Sequence, residues 1–210
     1  MSKPVIVLGA GGHAMVVVDI LRQLEVQILA IVSKDNPKKC SVFEGLAFLS
    51  DDSAIFDYSP KDVYLVNGIG SLPGSKIRAD LFRLYKEANY NFMSVISPHS
   101  IISPSAKIEE GVHIFANTVI NAGVTIGANT IINTGCIVEH ECNIGDNNHI
   151  APGVSISGAV ITNEYVHVGV GANIIQGVEV GENSTIGAGA TLTKSLEKNK
   201  TLFVAKPFLN

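Results

Sequence analysis

From Gly123 to Ser157 the chain reads GVTIGANTIINTGCIVEHECNIGDNNHIAPGVSIS. An aliphatic residue stands at every sixth position of this stretch: Ile126, Ile132, Val138, Ile144, Ile150 and Ile156. The same frame extends outward without a slip, back to Ile96 and on to Leu192, and only Thr162 breaks the aliphatic series. The position four residues after each aliphatic is restricted too. It holds small or β-branched residues such as Thr130, Cys136, Cys142, Val154 and Ala172, with Asn148 as the exception. Glycine, Asn and Asp fill the turns between, as in Gly127-Ala-Asn129, Gly145-Asp-Asn147 and Gly181-Glu-Asn183. Such residues accept the left-handed backbone that a tight corner needs.

A period of six fits neither an amphipathic helix nor an ordinary alternating strand. It fits a β-solenoid of short strands, each followed by a corner, with coils stacked at the strand spacing of ~4.8 Å. The aliphatic residue of each hexad points inward and the small residue packs beside it.

The rest of the composition narrows the class. The chain has 210 residues, 46% of them hydrophobic and 16% charged, with a formal net charge of −4. That length buries a real core. No Lys/Arg-rich stripe is present, so nucleic acid is not an expected partner. The apolar run Val5–Leu8 is cut at once by Gly9 and followed by Asp19, which does not read as a signal peptide. No segment reaches the ~18 apolar residues of a membrane span. Cys40, Cys136 and Cys142 lack metal-ligand spacing. Their odd number and the missing export signal point to reduced thiols and a cytoplasmic location.

Residues 1–94 follow another pattern. Val5–Leu8 reads as a buried strand, followed by Gly9-Ala-Gly11-Gly12-His13-Ala14 and a helix through Leu24. Ile28–Val32 and Val63–Asn67 read as further strands, the latter ending in Gly68-Ile-Gly70, and apolar spacing places a helix from Ser75 to Ala88. This is a small α/β domain with a parallel sheet, half of a Rossmann-like fold. Its first loop resembles G-x-G-x-x-A at a strand-to-helix turn. Glycines there let backbone approach a phosphate whose charge the helix N-terminus stabilises. A dinucleotide needs two such halves, so a nucleotide or nucleotide sugar is favoured over NAD. A glycine turn with no ligand is the plain alternative.

The solenoid resembles the left-handed parallel β-helix of hexapeptide-repeat acyltransferases, in which three hexads make one coil. That resemblance implies a homotrimer with active sites between subunits. The whole chain resembles the bacterial nucleotide-sugar N-acetyltransferases that acetylate a 4-amino sugar, and their sialic-acid O-acetyltransferase relatives. The motifs that carry it are Gly9–Ala14, Val138-Glu-His-Glu-Cys142, and His149 ahead of Pro152-Gly153. It implies a substrate-binding domain at 1–94 and an acyltransferase β-helix with a C-terminal tail at 95–210. It also implies acetyl-CoA as co-substrate, no metal, and a product destined for surface glycan or glycoprotein sugars.

Acetyl transfer to an amine needs a base for the proton and a donor for the developing oxyanion. His140 is the strongest candidate base. Two residues past Val138, it points outward, and one coil away in either direction stand the small residues Ala122 and Gly158. Glu139 and Glu141 flank it. The resemblance assigns the base to His140, the orienting role to Glu141 and an acetyl-CoA contact to the Gly158 N–H. It further implies acetyl-CoA contacts at Asn133, His149, Gly169 and Gly187, and substrate contacts at Gly11, Gly12, His13, Asp35, Gly70 and His149. His13 tilts the acceptor toward an amine. The second strand ends in Ser33-Lys34-Asp35 where relatives often pair two acids, and Val204-Ala-Lys-Pro207 varies the family's closing stretch.

His113 and His167 share the column of His149 and are expected at a wet surface or a subunit contact. Cys136 and Cys142 face inward, which favours direct transfer without a covalent intermediate. The expected reaction is N-acetylation of a UDP- or dTDP-linked 4-amino-deoxy sugar. The alternatives are O-acetylation of a sialic-acid-type sugar, a zinc hydratase on the same fold, and a non-catalytic assembly scaffold.

Overall fold

A computed structural model describes residues 3–34 and 41–204. The chain divides into two compact units, Met1–Pro98 and His99–Asn210. The sequence pattern set its boundary at 94/95.

The first unit carries strands β1 (Val5–Leu8), β2 (Ile28–Val32), β3 (Ala47–Leu49) and β4 (Tyr64–Asn67), with helices α1 (Gly12–Gln23) and α2 (Ile77–Glu87). All pairings are parallel and the order is β3-β2-β1-β4. Every residue of β1 is buried, as an unbroken apolar run in the middle of a parallel sheet should be. Strand β3 escapes the sequence reading because three residues at a sheet edge are too few to show a period. Helix α2 starts two residues later than its apolar spacing suggests and stops one earlier. A core of Ile6, Leu8, Ile55, Leu65, Tyr85, Tyr90 and Phe92 forms on one face of the sheet. The Tyr90 hydroxyl ends between the carbonyls of Ile55 and Tyr58, at 3.0 and 2.7 Å, so its polar atom is satisfied inside.

The second unit is a stack of two-residue strands in three parallel sheets. Each strand pairs with the one eighteen residues on, as in Ile126↔Ile144, Ile132↔Ile150 and Val138↔Ile156. Inward residues from Ile114 to Leu192 are buried. Each such aliphatic side chain removed from water contributes roughly 1.5–3 kcal/mol. Asn117, Asn129, Asn147 and Asn183 sit at positive φ in the corners. The final pairing, Thr185↔Thr201, spans sixteen residues, so the last coil is shortened.

The two exceptions in the repeat turn out to be one feature. Asn148 Nδ2 donates to Thr162 Oγ1 at 2.6 Å, and Asn148 Oδ1 accepts the Val166 N–H at 2.6 Å. Thr130 Oγ1 accepts the Asn148 N–H at 3.0 Å and donates to the Gly145 carbonyl at 2.8 Å. A polar rung therefore crosses the interior with its groups paired, which burial demands.

Candidate active site

The column of corners through residues 123, 141, 159 and 177 holds two side chains in left-handed backbone, Glu141 and Ala159. All four have positive φ: 73° at Gly123, 59° at Glu141, 55° at Ala159 and 67° at Gly177. Glutamate and alanine in that conformation cost on the order of 1–2 kcal/mol each. Elsewhere the repeat places Gly or Asn in most such corners, with Tyr165 at 59° a further exception.

A titratable pair stands beside them. Glu141 Oε2 lies 3.2 Å from His140 Nδ1. Both side chains are exposed, at 61% and 75%. The His140 ring lies over Gly158 in the next coil: a Cβ there would stand 2.6 Å from both Cε1 and Nε2. A side chain at 158 would displace the imidazole from this position, and no backbone atom is among its near neighbours. Among the described residues the Gly158 N–H meets no acceptor, while its carbonyl receives the Gly177 N–H at 3.0 Å. An exposed imidazole with one nitrogen on a carboxylate and the other beside Gly158, next to an open N–H donor, has the parts for proton abstraction and oxyanion stabilisation.

Asn133 and His149 form a separate cluster. Asn133 Oδ1 accepts the Thr134 N–H at 2.8 Å, which fixes the amide, and its Nδ2 lies 3.3 Å from His149 Nε2. An amide held that way turns its N–H toward the imidazole and donates wherever that ring nitrogen carries no proton. His167, one coil on, meets His149 edge to face with ring centroids 4.8 Å apart. His167 is partly buried and held below its ordinary pKa by desolvation. His113 is fully buried rather than at a wet surface, its ring stacked on Phe115 at 6.2 Å. No group of His, Cys, Asp or Glu that could hold a metal ion exists among the described residues.

Gly169 and Gly187 differ from Gly158. A Cβ on Gly169 would lie 2.5 Å from the Ala188 nitrogen, and one on Gly187 2.9 Å from the Leu202 oxygen. Backbone crowding in the coil explains both glycines, so their identity carries no information about acetyl-CoA. The thiols are also out of play. Burial pushes Cys136 up to about 11 and raises Cys142, so neither is a thiolate near neutrality.

In the first unit, the loops leaving β1 and β4 lie side by side at the carboxyl ends of adjacent strands. The order of strand addition switches sides there, the place where open α/β sheets take their ligands. Gly11 caps α1 without a side-chain acceptor, leaving first-turn N–H groups suited to an anion. A Cβ on Gly11 or Gly12 would meet nothing within 4 Å, so these glycines keep open space. His13 packs against Gly70, whose Cβ would lie 3.3 Å from that of His13. Asp35 lies outside the described residues, as do Cys40 and the Ala205–Pro207 part of the tail.

Comparison with known proteins places the fold in a family. Residues 4–83 match the model of the PglD N-terminal domain, and residues 105–140 match that of the bacterial transferase hexapeptide (six repeats). PerB from Caulobacter crescentus, solved with CoA and GDP-perosamine, is 31% identical over 96% of this chain and 94% of that one, with a TM-score of 0.85. This chain is a hexapeptide-repeat acyltransferase of that family. Its solenoid is therefore the left-handed parallel β-helix. The acetyltransferase domain of PglB from Neisseria gonorrhoeae, solved with acetyl coenzyme A, is 26% identical over 96% of both chains, with a TM-score of 0.86. WeeI from Acinetobacter baumannii is 26% identical over 95% of this chain and 96% of that one, with a TM-score of 0.82.

One functional signal lay beyond sequence reasoning. The strain at Glu141 and Ala159 is a matter of φ angles, and only the corner spacing of the hexads hinted at it.

Proposed function

We propose that this acyltransferase moves the acetyl group of acetyl-CoA onto the 4-amino group of a nucleotide-linked amino-deoxy sugar. The observation that carries the reading is the His140 ring lying over Gly158 with Nδ1 on Glu141. The amine nitrogen attacks the thioester carbonyl while His140 Nε2 takes its proton, directly or through one water. Glu141 holds the ring in the tautomer that leaves Nε2 basic. The Gly158 N–H donates to the oxyanion. Collapse of the tetrahedral intermediate breaks the C–S bond, and CoA leaves with the proton returned from His140. No thiol of the described chain is poised to form an acetyl-enzyme.

Support for the acceptor comes from two sides. The first unit offers a crevice with open glycines and an uncapped helix N-terminus, suited to a diphosphate. The similar PerB structure contains GDP-perosamine, so guanine joins uracil and thymine as a candidate base. Asn133, His149, Gly169 and Gly187 are proposed acetyl-CoA contacts, and Gly11, Gly12, His13, Asp35, Gly70 and His149 proposed substrate contacts. Assembly as a homotrimer and a cytoplasmic setting belong to the same proposal. Among the described residues no helix is long and apolar enough to cross a membrane.

His140→Ala tests the assignment. Loss of a positioned general base lowers kcat by roughly 10²–10⁴-fold, with KM for acetyl-CoA little changed. A variant with wild-type kcat would remove His140 from the mechanism.

A further inference from the structure

Cys142 stays out of the reaction as a nucleophile, yet its thiol meets the site from inside the solenoid. It stands two residues past His140 on the inward column and is 1% exposed. Its Sγ donates to the Ser157 carbonyl at 3.1 Å. That carbonyl and the Gly158 N–H belong to one peptide group. A trans peptide points its C=O and N–H in opposite directions. A carbonyl drawn to an inward thiol therefore turns the Gly158 N–H outward, to the side where the His140 ring lies.

The flanking groups are held by the ladder between coils. The Ser157 N–H donates to the Ile174 carbonyl at 2.9 Å and the Ala159 N–H to the His140 carbonyl at 2.8 Å, while the Gly158 carbonyl accepts the Gly177 N–H at 3.0 Å. The Ser157–Gly158 peptide has no such bond among the described residues. Its N–H meets no acceptor, and its carbonyl meets the thiol. The thiol is thus the group that sets the tilt of this peptide. Burial raises Cys142, so the sulfur keeps its proton near neutrality and stays a donor.

The geometry recurs along the repeat. Thr118 Oγ1 donates to the Asn133 carbonyl at 3.0 Å, Thr130 Oγ1 to the Gly145 carbonyl at 2.8 Å and Cys136 Sγ to the Ala151 carbonyl at 3.1 Å. Each inward donor reaches the carbonyl fifteen residues on. Cys142 applies that bond to the one peptide whose N–H lies under the His140 ring. The residue after Ala151 is Pro152, which has no N–H. Cys136 thus makes the same bond with no amide to aim.

We propose that Cys142 is a positioning residue for the oxyanion donor of acetyl transfer. Its thiol aims the Gly158 N–H at the developing charge and, by polarising the same peptide, strengthens it as a donor. The inference rests on the acetyl-transfer reading given above.

Three variants of the full chain test it. Val124, Val154, Val160 and Val166 occupy the equivalent inward position, so Cys142→Val fits the repeat while removing the donor. Cys142→Ser keeps a donor. Cys136→Val deletes the matching bond where no N–H follows. CoA release is measured with acetyl-CoA and GDP-, UDP- and dTDP-linked 4-amino sugars, using the sugar that the wild type turns over fastest. Removing an oxyanion donor outright lowers kcat about 10²–10³-fold, and freeing its tether is expected to cost part of that, about three- to ten-fold in C142V. KM for acetyl-CoA stays unchanged, because the oxyanion exists only in the transition state. C142S recovers most of the lost kcat, and C136V keeps the wild-type value. Melting curves report what each lost bond costs the fold. A C142V kcat equal to wild type, a loss shared by C136V, or a loss that C142S does not restore would overturn the role of Cys142 and leave the acetyl-transfer reading intact. If C142V does not fold, Cys142→Ala takes its place, since Ala172 and Ala190 fill the same position. Failure of both to fold would make Cys142 purely structural and overturn the role too. A wild type that releases no CoA with any of these sugars would overturn both readings.

Discussion

Glu141 carries a cost that the Asn and Gly corners of the repeat avoid. Its φ of 59° is what Asn tolerates at 117, 129, 147 and 183, and its carboxylate is committed to His140. Stability and activity should therefore part at this position. Glu141→Asn is expected to leave the fold as stable or to raise it by about 0.5–1 kcal/mol, since Asn relieves left-handed strain. The same change takes the carboxylate from His140 and lowers kcat by about ten-fold or more. Chemical denaturation and steady-state kinetics on one preparation read both. A variant less stable than wild type would mean that the corner is not strained by its side chain. At this scale the sequence was informative about which residues meet. An offset of one coil pairs His140 with Gly158, and the structure places the ring on that glycine. It was uninformative about the bond from Cys142, because an inward register position does not tell which carbonyl its side chain meets.

Elements of the solenoid are legible because every rung repeats one local constraint. An inward aliphatic, a small neighbour and a corner residue recur from Ile114 to Leu192, and the aliphatic and its neighbour are buried as the frame requires. The misreadings fall where the frame is silent. His113 occupies a position that the period assigns outward, yet it is fully buried, as is Ile131 on the same sheet. Burial of an outward face depends on what covers it, which no hexad encodes. Strand β3 lacks enough residues to declare itself. The Asn148–Thr162 rung looked like two defects because sequence shows each break but not their hydrogen bond.

The His149–His167 pair offers a pH test at this scale. His167 lies below its ordinary value of 6.5 through desolvation. The unfolded chain therefore takes up the proton first as pH falls, so folded stability declines from neutrality into the acid range below 6.5. His167→Gln removes that contribution. Its melting temperature is expected to fall less steeply than that of wild type between about pH 7 and pH 5. Parallel slopes would show that His167 titrates normally.

On the scale of the whole molecule, two different ways of holding a ligand are joined in one chain. An α/β unit offers glycine loops at a sheet switch point. A β-helix offers a rigid ladder from which one histidine projects. Both architectures are readable from periodicity and loop composition, since 3.6-, 2- and 6-residue periods are physically distinct. The acceptor is not readable that way. An amine and a hydroxyl make similar demands on a base, and the base of the nucleotide is chosen by side chains that no period marks.

Acetyl transfer to a nucleotide-linked amine is tested most directly by following CoA thiol release from acetyl-CoA. The acceptors are GDP-, UDP- and dTDP-linked 4-amino sugars, their 4-hydroxy counterparts and free sialic acid. The account predicts rapid release with one 4-amino sugar and none with its 4-hydroxy counterpart. Release with sialic acid alone, or with no acceptor in the panel, would contradict it.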